Sequence, residues 1–490
     1  MNSDSGAGLL HRLTSADAAR GWQTPVDDAR LRQDLEPNDL ATMPPPVKQY
    51  GEGLPRIPLP RQLPELAVSA TAVLAGQLPP AQSLDSAQPL DPAQPLDIAQ
   101  LGRVLYLGAG VVRTSQRPWG QALFRAAGSA GGRFPLEVYA STRSVAGMPD
   151  GVHWYDPVNH ALVQIGPPAE GERSTLVVTG VPWRTGWRYA ERGWRHLYWD
   201  AGTLCAQLFA ASDAAGLRPR LRSTFPDAEV GELVGADGVH EFPLVLLSFG
   251  DGPPAIRPTG TATPGRLPAV EFPQCTAAQR AGDGTRLGEP WPAGAALENA
   301  PPSASLDEVI LRRGSQRRMD RQASVSRPVL EWSMRAALLG IDLPHWVVVH
   351  AVDGIRPGVY RWPHLDRPVR AGELRDELAW ICMDQALAGE AAYVAIAAVR
   401  SEDIDDRGYR AAQLAAGLVE GRLHLAAYAL GVTATGMTFY DSEVPALLGE
   451  DGLTALLFTC VGVGEYASKA GGRPGAPIEV RQVMPRFTDE

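Results

Sequence analysis

ERGWRHLYWDAGTLCAQLFAASDAAGL at 191–217 and DRGYRAAQLAAGLVEGRLHLAAYALGV at 406–432 align without a gap. Arg192 falls on Arg407, Gly202 on Gly417 and Gly216 on Gly431, each pair 215 positions apart. Three anchors in one register mark an internal duplication, and a period this long means a copied domain rather than a solenoid unit. Leu197, Ala201, Leu204, Cys205 and Leu208 share one face at helical spacing, which predicts a buried helix over about 191–215 with Cys205 as packing. The copies diverge at the start: Arg188-Tyr189 in the first becomes Asp403-Ile404 in the second. The repeated helix is the expected contact between the halves.

Around this core the composition is that of an ordinary globular chain: 490 residues, 44% apolar and 20% charged. The formal net charge of -10 disfavours a nucleic-acid or anionic-membrane surface, because both need basic patches. No apolar run approaches the roughly 18 residues of a membrane span. The N-terminal MNSDSGAGLLHRLTSADAARG lacks the charged-then-apolar order of an export signal, so a cytoplasmic location is expected. Cys205, Cys275, Cys382 and Cys460 are scattered as reduced cysteines are, and the nine histidines form no HxxxH or HxxEH cluster, so no metal site is expected.

Four segments are expected. Residues 1–65 form a lead-in ending in the Pro-rich MPPPVKQYGEGLPRIPLPRQLP (43–64), which either drapes over a neighbouring domain or stays flexible. Residues 66–250 form the first domain, with a low-complexity PAQPLD insertion at about 80–100 that reads as surface linker. Residues 251–304 are a Pro/Gly-rich connector, and 305–490 the second domain, opened by Ser305 as a helix cap. Within the first domain, LGRVLYLGAGVV (101–112) carries a GxG but lacks the third glycine of a dinucleotide fold, since Arg113 stands there. GVHWYDPVNHALVQIG (151–166) reads as a hairpin. In the second, 327–340 reads as a helix, and 345–352, 391–399 and the start of 454–475 as strands. The fold class expected is α+β, two similar domains of antiparallel or mixed sheet with flanking helices, arranged as a pseudo-dimer within one chain.

Two stretches suggest chemistry. RRGSQRRMD (312–320) sets Arg312, Arg313, Arg317 and Arg318 around Ser315, a donor set suited to phosphate or to a solvated basic face. Lys469 and Arg473 in the Gly-rich tail are a second possible phosphate contact. Gly128-Ser129-Ala130-Gly131-Gly132 is a small-residue turn that lets backbone approach a flat ligand.

The order of these motifs resembles the FMN-dependent nitroreductase superfamily, and within it the branch of peptide dehydrogenases that oxidise thiazolines and oxazolines in natural products such as streptolysin S and microcin B17. Arg313, Ser315, Arg317 and Met319 match that family's phosphate motif. Arg125, Ser129, Ala130, Gly131, Pro135, Glu137 and Tyr139 match its second motif, with Gly128 in place of the usual proline. Gly151, Tyr155, Asp156 and Pro157 match the third, and Arg188-Tyr189 with Glu191-Arg192-Gly193-Trp194-Arg195 the fourth. Lys48 and Tyr50 match the Lys-x-Tyr that ends a Pro-rich lead-in.

The resemblance implies an FMN whose phosphate rests on Arg313, Ser315 and Arg317, with Arg473 as a further contact, and whose ring lies over Ser129, Ala130 and Gly131. It implies Tyr189 as catalytic base or proton relay with Arg188 beside it, where the family has lysine. Family members pair two subunits around their flavin sites. Here the first half keeps the turn and Arg188-Tyr189, and the second keeps the Arg/Ser loop, which implies one complete site. The expected function is an FMN-dependent oxidase acting on an azoline or peptidyl intermediate, with oxygen as final acceptor. The substrate would be a peptide or a carrier-bound small molecule. The alternatives are an NAD(P)H-dependent nitro or quinone reductase, and a flavin-free scaffold or substrate-binding partner.

Overall fold

A computed structural model describes residues 6–20, 28–32, 38–63, 66–77, 96–266 and 270–488. The first half builds a seven-stranded sheet in the order Arg56–Pro58, Ala161–Gly166, Gly151–Asp156, Leu136–Thr142, Thr175–Gly180, Phe242–Phe249, Pro219–Arg222. The second builds six strands in the order Arg370–Ala371, Gly358–Arg361, His345–Val349, Tyr393–Arg400, Leu453–Gly462, Thr433–Met437. Apart from the extra edge strand at Arg56–Pro58, the two orders are the same when strands are matched by sequence position. Neighbouring strands within each sheet run antiparallel. A third, small sheet joins the halves: the C-terminal Ile478–Glu479 pairs in parallel with Val111–Arg117, which pairs with Gly120–Arg125.

The duplicated helices, Gly193–Ala214 and Asp406–Ala429, pack against each other at the centre. The anchors of the repeat have physical reasons. A Cβ at Gly202 would collide with the backbone of Leu414, Gly417 and Leu418, and one at Gly417 with the backbone of Trp199. Only glycine at these two positions lets the helices come this close. Gly216 and Gly431 sit at φ +72° and +79°, the left-handed stop that ends each helix. Leu197, Ala201, Leu204, Cys205 and Leu208 are all buried, as the spacing predicts, and Cys205 is a free thiol.

The third anchor pair works by exchange. Arg192 and Arg195 of the first helix both bond Asp441 in the second half, at 2.6 and 2.7 Å. Their counterparts Arg407 and Arg410 both bond Asp227 in the first half, at 2.5 and 3.1 Å. Trp194 and its counterpart Tyr409 stack on each other with centroids 6.0 Å apart and planes at 3°. Glu191 and its counterpart Asp406 each accept a backbone N–H from the start of a flanking helix: Cys275 in Pro273–Ala281 and Ala7 in Gly6–Thr14. The seam is a pseudo-twofold axis read out in side-chain bonds.

The lead-in and the linker differ from expectation. Far from being a bare polar leader, the N-terminal stretch contributes the helix Gly6–Thr14, whose Ala7 and Leu10 are fully buried. The Pro-rich part drapes over the first sheet. Arg184 and Arg125 donate to the Pro45 and Pro46 carbonyls at 3.1 and 3.4 Å. Lys48 is buried on Glu241 and on the Tyr139 hydroxyl. Glu137, Tyr139 and Lys48 therefore fasten the lead-in rather than line a ligand site. The PAQPLD repeat at 78–95 lies outside the described residues, but the flanks of the expected linker fold. Ala70–Leu74 and Ile98–Ala109 are helices, the latter started by an Asp97–Gln100 capping box. This helix contains Gly108 and ends at Gly110, so the GxG lies at a helix-to-strand junction and not the strand-to-helix one a dinucleotide site requires. The connector also holds a helix, Pro273–Ala281, which its low periodicity concealed. Ser305 caps its helix through the Glu308 N–H as expected. No helix among the described residues is long and apolar enough to cross a membrane.

Two outcomes test the seam. Gly417→Ala drives a methyl into the facing backbone and costs about 3 kcal/mol or more in urea unfolding. Gly51→Ala, whose added Cβ meets nothing within 4 Å, stays within about 0.5 kcal/mol. Asp441 is buried, which opposes its charge, yet Arg192 and Arg195 outweigh burial and hold its carboxyl below the usual range. Its contribution is present above the unfolded carboxyl value near 4 and is lost as pH falls. Asp441→Asn therefore costs about 3–5 kcal/mol at pH 7, and the gap to wild type narrows in unfolding measured below about pH 4.

Candidate functional site

The turn from the first half and the Arg/Ser loop from the second meet. The small strand Gly120–Arg125 delivers the chain to the turn, and Arg313, at the end of the helix Leu306–Arg312, reaches back to it. Arg313 donates to the Ala126 carbonyl at 2.8 Å and faces His424 Nδ1 at 3.3 Å. A Cβ at Gly128 would lie 3.3 Å from an Arg313 terminal nitrogen, so glycine in place of proline makes room for that guanidinium. Gly128 thus has a local cause.

On the other edge of the turn, Gly131 has φ +58°, and a Cβ there would lie 2.5 Å from the Tyr189 hydroxyl. Tyr189 ends the helix Pro182–Tyr189, and Ala190 at φ +47° turns the chain into the central helix. Arg188 is exposed, donates to Asn38 at 3.0 Å, and holds its guanidinium carbon 5.8 Å from the Tyr189 ring centre. Burial nevertheless pushes the Tyr189 phenol up, outweighing the nearby charges of Arg188 and Arg317. Burial thus opposes the expectation that Arg188 makes Tyr189 a base, because the phenol holds its proton more tightly than a free tyrosine.

Beneath the turn lies Asp200, which the motifs did not flag. Its two oxygens accept from the Ser129 hydroxyl at 2.5 Å and the Ala130 N–H at 2.9 Å, while Ser129 Oγ accepts from the Phe134 N–H at 2.8 Å. Burial pushes this carboxyl up to about 7, against the pull of both donors. One turn earlier on the same helix, His196 packs its ring 4.1 Å from Tyr189 and 4.6 Å from Trp199. Neither His196 ring nitrogen has a hydrogen bond among the described residues, and burial with Arg192 and Arg195 nearby keeps the imidazole uncharged. The signal for these residues was in the repeat itself. At an offset of 215, His196, Asp200 and Thr203 face Ala411, Ala415 and Leu418. A polar stripe in one copy is apolar in the other.

The predicted phosphate residues separate into two kinds. Arg313 is buried, pulled down to about 10 by that burial, and serves as a strut between halves. Arg312 is exposed and pairs with Glu308. Ser315 and Arg317 are half-buried, and neither side chain has a hydrogen-bond or ion-pair partner among the described residues. The loop is held by Gln316, which donates to the Arg318 and Tyr466 carbonyls, and by the Arg317 N–H on the Tyr466 hydroxyl. Tyr428 and Ser468 close on Gly314 from the second central helix and the tail. Met319 is core, not a ligand contact. Arg473 lies apart, beside Arg61 and Gln62 on a cleft of about 310 Å³. Arg113, on the small strand Val111–Arg117, bonds the Leu311 and Lys469 carbonyls.

These features fit a phosphorylated planar cofactor in part. The cation and hydroxyl of Arg317 and Ser315 suit a phosphate, and the Gly128–Gly132 turn is partly exposed, with little side chain to keep a flat ring away. Ser129 and Ala130, however, spend their donors on Asp200. The place where duplication would put a second site is filled. Between the helix Ala70–Leu74 and the 338–344 segment, connector residue Leu297 donates to Ala75 O and Gln77 donates to Leu297 O, while Gly294 packs on Gly340.

No model of a known protein family matches the chain. The "Putative nitroreductase MJ1384" of Methanocaldococcus jannaschii is 27% identical over 142 residues, covering 26% of this chain and 70% of that protein. The crystal structure of a "putative nitroreductase" from Anabaena variabilis superposes with a TM-score of 0.68 at 20% identity, covering 94% of this chain and all of that one. A chain of the Escherichia coli microcin synthetase McbBCD complex with truncated pro-MccB17 bound matches 32% of this chain at a TM-score of 0.27 and 20% identity. If Arg313 is a strut and Arg317 a free cation, their truncations differ: Arg313→Ala costs about 2–4 kcal/mol of unfolding free energy, and Arg317→Ala costs less than about 0.5 kcal/mol. The chain folds as a nitroreductase-like α+β protein with two such lobes.

Proposed function

We propose that this protein is an FMN-dependent oxidoreductase with one flavin site, assembled from the first half's turn and the second half's Arg/Ser loop. The observation that carries the reading is Arg317 with Ser315: a half-buried cation and hydroxyl without hydrogen-bond or ion-pair partners among the described residues, on a loop pinned on both sides, within electrostatic reach of Tyr189. Arg317 and Ser315 would hold the phosphate, and Arg313 would position the loop against the turn. When bound, FMN supplies two-electron redox chemistry. Tyr189, holding its proton beside Gly131, acts as hydrogen-bond donor or proton relay at its hydroxyl. Arg188 lies at the exposed edge, where it orients an incoming anionic or peptide group.

The substrate reading is an azoline or peptidyl intermediate in natural-product assembly, and it rests on the motif resemblance. An NAD(P)H-dependent reductase is the competing enzyme, separated by rapid mixing, in which NAD(P)H reduces the flavin only in the reductase. One observation favours a flavin-free scaffold: the Ser129 and Ala130 donors are already used internally. Reconstitution decides. FMN binding followed by visible absorption weakens at least tenfold in Arg317→Ala and Ser315→Ala and is unchanged in Arg473→Ala. A colourless protein after reconstitution contradicts the proposal.

A further inference from the structure

Asp200 sits where a ligand of the turn would have to compete. The turn offers two donors close together, the Ser129 hydroxyl and the Ala130 N–H, and one buried carboxylate takes both. The duplication shows that this arrangement goes with the turn. The second half, which passes from the helix Arg327–Ala337 to the strand His345–Val349 without such a turn, has Ala415 at the position of Asp200. Nothing in helix packing asks for a carboxylate at that position, since the equivalent Ala415 is buried at the same seam.

We infer that Asp200 is a positioning residue that stands in for the flavin ring: it holds the Ser129 and Ala130 donors of the turn and yields one of them when the ring binds. The inference rests on the flavin reading above. Its consequence is a coupled proton. A carboxylate that loses one of its two donors in a buried place is disfavoured as an anion, so it takes a proton from solvent, and the new O–H replaces the interaction that was lost. No bond other than this O–H forms, and no electron moves.

The neighbouring charges agree with one proton taken up by Asp200. Glu420 on the second central helix adds a like charge that favours protonation. His196 on the same helix is held uncharged by burial, Tyr189 on the preceding helix stays protonated, and Arg313, though lowered to about 10 by burial, remains cationic near neutral pH. Since burial has already moved the Asp200 carboxyl up to about 7, the uptake falls in an accessible range.

The experiment is flavin binding by full-length protein between pH 5.5 and 8.5, with FMN and with riboflavin as probes, in wild type and Asp200→Asn. Riboflavin lacks the phosphate, so a pH dependence shared by both probes belongs to the turn and not to the Arg317 loop. The expected result is a dissociation constant that rises about tenfold per pH unit above pH 7 for both probes in wild type. Asp200→Asn, which keeps the shape and presents an amide like the neutral acid, is expected to bind with the low-pH wild-type affinity at every pH. Calorimetry in buffers of different ionisation heat reports the proton directly: uptake in wild type at pH 7.5, none in the variant. A pH-independent wild type overturns the proposal, as does an Asn variant with the same pH dependence. An Asn variant that folds with an unchanged melting temperature yet binds at no pH also overturns it, because that marks a purely structural residue. Wild type that binds neither probe overturns the flavin reading and this inference together.

Discussion

The structure depends on the approach of two helices through Gly202 and Gly417. With no side chain at either position, the backbone of each copy packs directly on the other, and any larger residue forces the halves apart. That approach brings Arg192 and Arg195 within reach of Asp441, and Arg407 and Arg410 within reach of Asp227. Each half thus lends two cations to a carboxylate of the other. Buried pairs of this kind contribute less net stability than their geometry suggests, but they are costly to break and so fix one register. Here the register is what matters, because the turn and the Arg/Ser loop meet only if the halves hold it.

The same seam explains why symmetry of fold is compatible with asymmetry of site. Two sheets with matching strand orders flank the helices, yet the polar residues His196, Asp200 and Thr203 lie on one copy alone. On the other side the connector packs into the equivalent place through Leu297 and Gly294. On the proposed reading one site serves both halves, and the second place is structural ground filled by the segment that links them.

Much of this was legible in the sequence, and the failures have physical causes. The repeat revealed the seam because glycine at a helix crossing and glycine at a helix stop are both demanded by backbone geometry, leaving marks at fixed spacing. The helix Ile98–Ala109 was partly missed, since its Asp97–Gln100 cap lies at the end of a PAQPLD run whose composition reads as linker. Glu137, Tyr139 and Lys48 matched family motifs correctly but for a different reason: they are a buried polar clamp on the lead-in. Arg473 looked like a phosphate ligand because a basic residue in a Gly-rich tail carries no information about where the tail goes, and here it goes to Arg61. Asp200 was invisible to motif matching because no spacing rule links a carboxylate in a helix to a turn 70 residues earlier. Only comparison of the two copies exposes it.

The central claim is that one site spans both halves. The measurement that tests it most directly is the stoichiometry of FMN bound per chain, taken by titration under tight-binding conditions with protein concentration fixed by amino-acid analysis. The account predicts saturation at one FMN per chain. Saturation at two would mean that the connector-filled place is still a site, and no saturable binding would mean that the turn and the loop meet for structural reasons alone.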